Sequence, residues 1–222
     1  MGSKLRLRFS KTGKARYISH LDLMATMRRA LLRAGIELKY SEGFNPHPYM
    51  SVALPLPVGC GSVCELLDFE PAEGVLPAGL PEAVSAALPE GIEVLEAYSP
   101  DRKFSGIVWL DVCGKLFYDE GAPTGEAEKL AGRFASGSIV ISKKTKRGIS
   151  EIDIAPFISD VIFDGDTDRG TITMKAKVTA QNPTITTANL MSALTGQPGH
   201  AKPGFTEFIR KEVYDANMDV FR

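Results

Sequence analysis

Lys4-Leu5-Arg6-Leu7-Arg8-Phe9 alternates charge with apolarity, and Arg16-Tyr17-Ile18-Ser19-His20-Leu21-Asp22-Leu23-Met24 follows it with the opening of an amphipathic helix. A pleat of period two sets Leu5, Leu7 and Phe9 on one face of a strand and Lys4, Arg6 and Arg8 on the other. Residues 10–16 are polar and read as a loop. Ser19 with Asp22 three positions later forms a capping box, Asp standing where Glu is commoner. The helix is expected to end near Ala34, with Gly35 as its stop. On a wheel of about 100° per residue, Leu21, Met24, Met27 and Leu31 are expected to face the core, and Asp22, Thr26, Arg29 and Arg33 the solvent. Arg28 falls inside the apolar arc, so it must snorkel or meet a carboxylate.

Working outward, residues 40–48 are rich in turn formers, and 50–58 are apolar but broken by Pro55 and Pro57, which lack the N–H of a central strand. That segment is expected to be an edge strand or an extended arm. A strand over 65–70, a short helix over 80–88 and a strand over 92–98 complete the order βαββαβ, the ferredoxin-like unit. After Ser99-Pro100-Asp101 a second set begins. It has a strand over 107–112, a helix over 125–134, strands near 139–142 and 171–178, and a helix around 188–194. Residues 197–204 are loop-like, and 206–214 form a short terminal helix or strand. The expected fold is α+β, with two ferredoxin-like modules in tandem over residues 1–100 and 101–222, the second degenerate.

A chain of 222 residues, 44% hydrophobic and 24% charged, has the composition of a folded globular protein. No apolar run approaches the roughly 18 to 20 residues of a membrane span, and the first residues do not build a signal peptide's apolar core. No membrane partner is expected, and the expected location is the cytoplasm. Three cysteines fit a reducing compartment better than a disulfide framework. The net charge of −1 gives no overall steering. Over the first 47 residues, however, Lys4, Arg6, Arg8, Lys11, Lys14, Arg16, Arg28, Arg29, Arg33 and Lys39 face only Asp22, Glu37 and Glu42. Residues 65–128 are dominated by acids and 133–147 by bases, which suggests distinct faces.

The run Arg16 to Met24, with Tyr40-Ser41-Glu42-Gly43-Phe44-Asn45-Pro46-His47-Pro48 and Leu54-Pro55-Leu56-Pro57-Val58-Gly59, resembles the bacterial radical SAM-linked protein family. The basic stretch from Lys143, with the proline-bearing segment that ends at Ile158, is similar to it as well. Members of that family stand alone or are similar to the C-terminal part of radical SAM proteins. The resemblance implies a radical SAM enzyme as partner, in RNA or translation-related modification. It assigns no activity to individual residues.

Four constellations carry chemistry. A radical SAM cluster needs thiolates spaced C-x₃-C-x₂-C. Cys60 and Cys64 have the first spacing, but the third place is Leu67 and Cys113 is remote, so these read as small buried hydrophobes and no cofactor is expected. His20 and His47 are the candidate catalytic pair, an acid and a base for metal-independent cleavage of RNA with Arg16 or Tyr17 nearby. The alternative packs His20 beside the apolar face and leaves His47 to shape a Pro-His-Pro turn. A metal at His20, Asp22 and His47 is not expected, because Asp22 caps the helix and adjacent helix positions point apart.

The third set is a candidate RNA surface: Arg6, Arg8, Lys11, Lys14, Arg16 and Tyr17, with Phe44 and Asn45 from the second loop and Lys143, Lys144, Lys146 and Arg147 extending it. Against it, Asp68 and Glu70 are placed to pair with Arg6 and Arg8 across the sheet. The fourth, the loop over 43–48, is stiffened by two prolines around an aromatic, an amide and an imidazole, and suits either recognition or a plain turn. Three functions therefore stand as expectations. One is an accessory module that presents RNA to a separate radical SAM enzyme, without catalysis of its own. The others are a ribonuclease using His20 and His47, and a protein-only adaptor that docks by its 54–58 arm.

Overall fold

The computed structural model describes residues 4–72, 78–145, 148–166, 170–195 and 199–222. The chain is α+β with four α-helices among these residues, and it divides into two units, Met1–Gly106 with Arg222 and Ile107–Phe221. The first unit runs β1 (Leu5–Lys11), α1 (His20–Arg33), β2 (Met50–Val52), β3 (Gly61–Phe69), α2 (Leu80–Ala86) and β4 (Ile92–Tyr98). Its sheet has the order β4-β1-β3, with β2 also on β3 and every pair antiparallel.

Alternation in β1 works as the pleat requires. Leu7 and Phe9 are buried with Leu67 and Phe69 of β3 and Ile92 and Val94 of β4, and α1 and α2 close this core with Leu23, Met27, Ala30, Leu31, Leu80 and Val84. Helix α1 starts where its cap predicts: the Ser19 hydroxyl accepts the Asp22 N–H at 3.2 Å and donates to the Asp22 carboxylate at 2.7 Å. It ends at Arg33, with Gly35 at φ +79° allowing the chain to turn away. The buried arc, however, runs through Leu23, Met27, Ala30 and Leu31, while Leu21 is largely exposed. On the wheel Leu21 stands about 120° from Met27, outside the stripe the sheet covers. The proline-rich segment forms a strand only over Met50–Val52, before its prolines begin.

The second unit runs β5 (Trp109–Phe117), α3 (Glu126–Phe134), β6 (Val140–Thr145), β7 (Gly148–Asp153), β8 (Ile158–Asp166), β9 (Thr171–Thr179), α4 (Thr187–Thr195) and β10 (Phe205–Tyr214). Its sheet has the order β10-β5-β9-β8, all antiparallel, and β6 and β7 form a separate hairpin. Leu110, Val112 and Leu116 of β5 and Ile172, Met174, Ala176 and Val178 of β9 are buried in alternation. Gly114 lets Phe208 lie flat on β5, since a Cβ there would sit 2.6 Å from its ring. Helix α3 packs on β8 through Phe134 and Phe163, ring centroids 5.3 Å apart.

Two strands of this unit, β7 and β8, were not expected. Their alternation is blurred because apolar residues fall on both parities, Ile149 and Ile152 in β7 and Val161, Ile162 and Phe163 in β8, and by a bulge between Ser159 and Ile162, where Asp160 takes φ +52°. The segment near the C-terminus is a strand, β10. No helix among the described residues is long and apolar enough to cross a membrane.

Candidate nucleic-acid interface

The polar face of β1 is not an open cationic surface. Arg6 is 1% exposed, its Nε donating to Asp68 Oδ1 at 2.7 Å and its Nη2 to the Arg102 carbonyl at 2.8 Å. Phe104 lies over the guanidinium, 4.4 Å from it to the ring centroid. The chain that follows β4 thus folds back over the sheet face away from the helices and roofs Arg6. Burial raises the pKa of the neighbouring Tyr98 phenol, and the charge of Arg6 offsets part of that. Arg8 donates to Glu96 of β4 at 3.0 Å, and Glu70 meets Lys39 instead of Arg8.

Lys11 is also internal. Strand β1 runs through a bulge to Lys11, which has the parity of Leu7 and Phe9 and is 1% exposed. Its ammonium donates to the carbonyls of Arg16 at 3.2 Å and Ile18 at 2.9 Å. Desolvation lowers its pKa, and the charge of Glu65 opposes that shift. Arg6 and Lys11 are thereby withdrawn from the phosphate-binding face that the sequence suggested. Each serves the inside of the unit.

What remains at the surface is smaller and more aromatic. Gly13–Tyr17 form a short 3₁₀ turn that leaves Lys14 exposed and Arg16 half-buried. Tyr17 is 54% exposed, with the Arg16 guanidinium 5.1 Å from its ring centroid. Gly59 abuts this tyrosine, and its N–H donates to the Arg16 carbonyl at 2.9 Å. Exposed Val58 precedes Gly59, and exposed Leu21 lies in the first turn of α1.

The second loop is closed by a bridge between Tyr40 and Pro48 and by the Ser41 N–H donating to the His47 carbonyl at 2.9 Å. Phe44 stands fully exposed on it, and Asn45 beside it is exposed as well. Lys143 and Lys144 lie on β6, and Lys146 and Arg147 lie outside the described residues.

No described contact links the two candidate histidines. His47 Nδ1 sits 2.7 Å from the Asn45 carbonyl of its own exposed loop. His20 Nδ1 is buried without a described hydrogen-bond partner, and no described hydrogen bond or ion pair joins the two rings. Cys60 and Cys64 are buried free thiols, and Cys113 is partly buried. Among the described residues no three His, Cys, Asp or Glu side chains gather as a metal cage.

A family model described as "uncharacterized protein conserved in bacteria (DUF2344)" matches residues 4–187. The chain belongs to this family. No curated protein matches it. The DUF2344 match takes in every candidate residue named above, and its description carries no link to radical SAM chemistry.

Sequence reasoning passed over one further polar cluster of this DUF2344 chain, in the second unit. Glu126, in the first turn of α3, is 1% exposed and accepts from His200 Nδ1 at 3.0 Å and from the Ala201 N–H at 3.1 Å. A buried carboxylate holds the chain leading into β10 in this way. The Tyr118 phenol is pushed up to about 12, by burial first and by the charge of Glu126 second, and its hydroxyl has no described partner. The signal was absent because Glu126 and His200 are 74 positions apart.

The raised phenol has a consequence for stability. The folded state keeps the Tyr118 proton longer than the unfolded chain, so stability present below about pH 10 falls as pH climbs toward about 12. Tyr118→Phe should flatten that alkaline loss and change neutral-pH stability by less than about 1 kcal/mol, since no described hydrogen bond goes with the hydroxyl. Denaturant midpoints of both proteins at neutral and alkaline pH check this. Parallel pH profiles would refute it.

Proposed function

We propose that the chain is an accessory module that binds single-stranded RNA through Lys14, Arg16 and Tyr17 and presents it to a separate radical SAM enzyme. The observation that carries the RNA part is the exposed Tyr17 ring with a guanidinium stacked beside it. Every base offers a π-face to such a ring, and nearby cations draw the phosphates. Phe44 and Asn45 give a second exposed aromatic and amide on a hydrogen-bonded loop. The radical SAM partner rests on the motif resemblance alone. The strand orders β4-β1-β3-β2 and β10-β5-β9-β8 correspond position by position, with the β6-β7 hairpin inserted in the second unit, and they support two ferredoxin-like modules in tandem.

Filter binding with unstructured RNA at several salt concentrations tests the proposal. With about two phosphate contacts, log K should fall against log salt with a slope near −1.4. Tyr17→Ala should weaken binding about 5- to 100-fold at fixed salt, the loss of one stacked base. No retention at low salt would discard RNA as the ligand. A protein-only adaptor is the second reading, favoured by the exposure of Leu21 and Val58. A complex with the enzyme that survives nuclease and high salt, and is lost in Val58→Glu, would select it. The ribonuclease with His20 and His47 draws no support from the geometry, and unchanged RNA after incubation in chelator would remove it.

A further inference from the structure

The geometry points to Lys11 as the positioning residue of the Arg16–Tyr17 platform, a buried ammonium that sets the conformation of the surface turn from beneath. The inference rests on the RNA proposal for its ligand, but its structural half stands by itself. A short 3₁₀ turn has little intrinsic stability, and its last carbonyls have no partner within the turn. Here the carbonyls of Arg16 and Ile18 converge on Lys11 Nζ at 3.2 and 2.9 Å. The same Arg16 carbonyl accepts the Gly59 N–H, so the platform is held from the sheet and from the neighbouring loop. Glu65 of β3, 1% exposed, supplies the negative charge that lets an ammonium remain inside.

The arrangement places the cost of ordering the turn in the free protein instead of in the complex. A stacking surface fixed beforehand loses less entropy when a base lands on it. Lys11 touches no ligand in this scheme. Its effect reaches the RNA only through the main chain that carries Arg16 and Tyr17.

Backbone amide exchange is the direct test, because it reads the turn without any ligand. In Lys11→Met the Ile18 and Gly59 amides should exchange about tenfold faster or more, while those of β1 and β3 keep their protection. Lys11→Met removes a cation that offsets the charge of Glu65 and can unfold the unit, so Lys11→Met/Glu65→Gln is the paired variant that removes both charges. RNA affinity should fall about tenfold in whichever variant folds, and Lys11→Arg should recover part of it.

Unchanged exchange at Ile18 and Gly59 in the double variant overturns the inference. So does loss of protection throughout β1 and β3, since Lys11 would then hold the core and not the turn. Faster exchange at those two amides, in a parent protein that binds no RNA, supports the positioning role and sinks the RNA proposal.

Discussion

Asp68→Ala is expected to destabilise the first unit by about 3–5 kcal/mol, the usual cost of removing one partner from a buried ion pair. Asp68 is 4% exposed and holds Arg6 through both oxygens, at 2.7 and 3.1 Å. The guanidinium cannot turn to water in exchange, because Phe104 and the Arg102 carbonyl enclose it. Replacing both members together, Arg6→Met with Asp68→Leu, should cost far less, since no charge is then left inside. Denaturant midpoints of the three proteins measure the difference. A loss under about 1 kcal/mol in the single variant would mean that water reaches the pair, as at surface ion pairs. The pair lies under the surface, so folded Arg6→Met/Asp68→Leu should bind RNA as the parent does. That separates the internal cations from the outer ones.

The contrast between Arg6 and Arg16 shows where the sequence is legible. Alternation in the first strand tells which side chains share a face, and Leu7 and Phe9 lie in the core as that alternation requires. The cap at Ser19 and the stop at Gly35 are local signals, fixed by neighbours within four residues, and both hold. What covers a face is a different matter. Arg6 meets Asp68 62 positions away and the Arg102 carbonyl 96 positions away. An alternating Lys-Leu-Arg-Leu-Arg-Phe run reads the same whether its polar side meets water or a returning chain. Lys11 is harder still, because its charge reads as part of a polar loop, whereas the strand runs on to it at the parity of Leu7 and Phe9. Leu21 failed for a related reason: a wheel centred one residue off moves a boundary position from core to solvent. In the second unit the two missed strands carry apolar residues on both parities, Ile149 with Ile152 and Val161 with Ile162 and Phe163, so no period-two signal survives.

Gly91→Ala is expected to cost about 2–4 kcal/mol and to displace the turn that carries Lys14, Arg16 and Tyr17. Gly91 has φ +88°, a conformation that penalises any Cβ, and the added carbon would stand 2.5 Å from the Thr12 carbonyl oxygen and 3.0 Å from the Ala15 Cβ. Both neighbours belong to the segment that leads into Tyr17, and backbone cannot swing aside as the tip of a side chain can. The close approach exists because the Thr12 N–H donates to the Gly91 carbonyl at 2.7 Å, which ties the start of the turn to the residue before β4. Relief of the clash must lengthen that bond and move the turn, which carries the Arg16–Tyr17 pair and the Arg16 carbonyl that Lys11 and Gly59 bind. Loss of RNA affinity should therefore exceed what the unfolded fraction explains, and a titration corrected for that fraction measures the excess. A proline-free insertion between Val58 and Gly59 should reproduce the affinity loss with less loss of stability, because it loosens the same turn from its exposed side. Equal affinity per folded molecule in both variants would mean that Tyr17 binds nothing that depends on where the turn holds it.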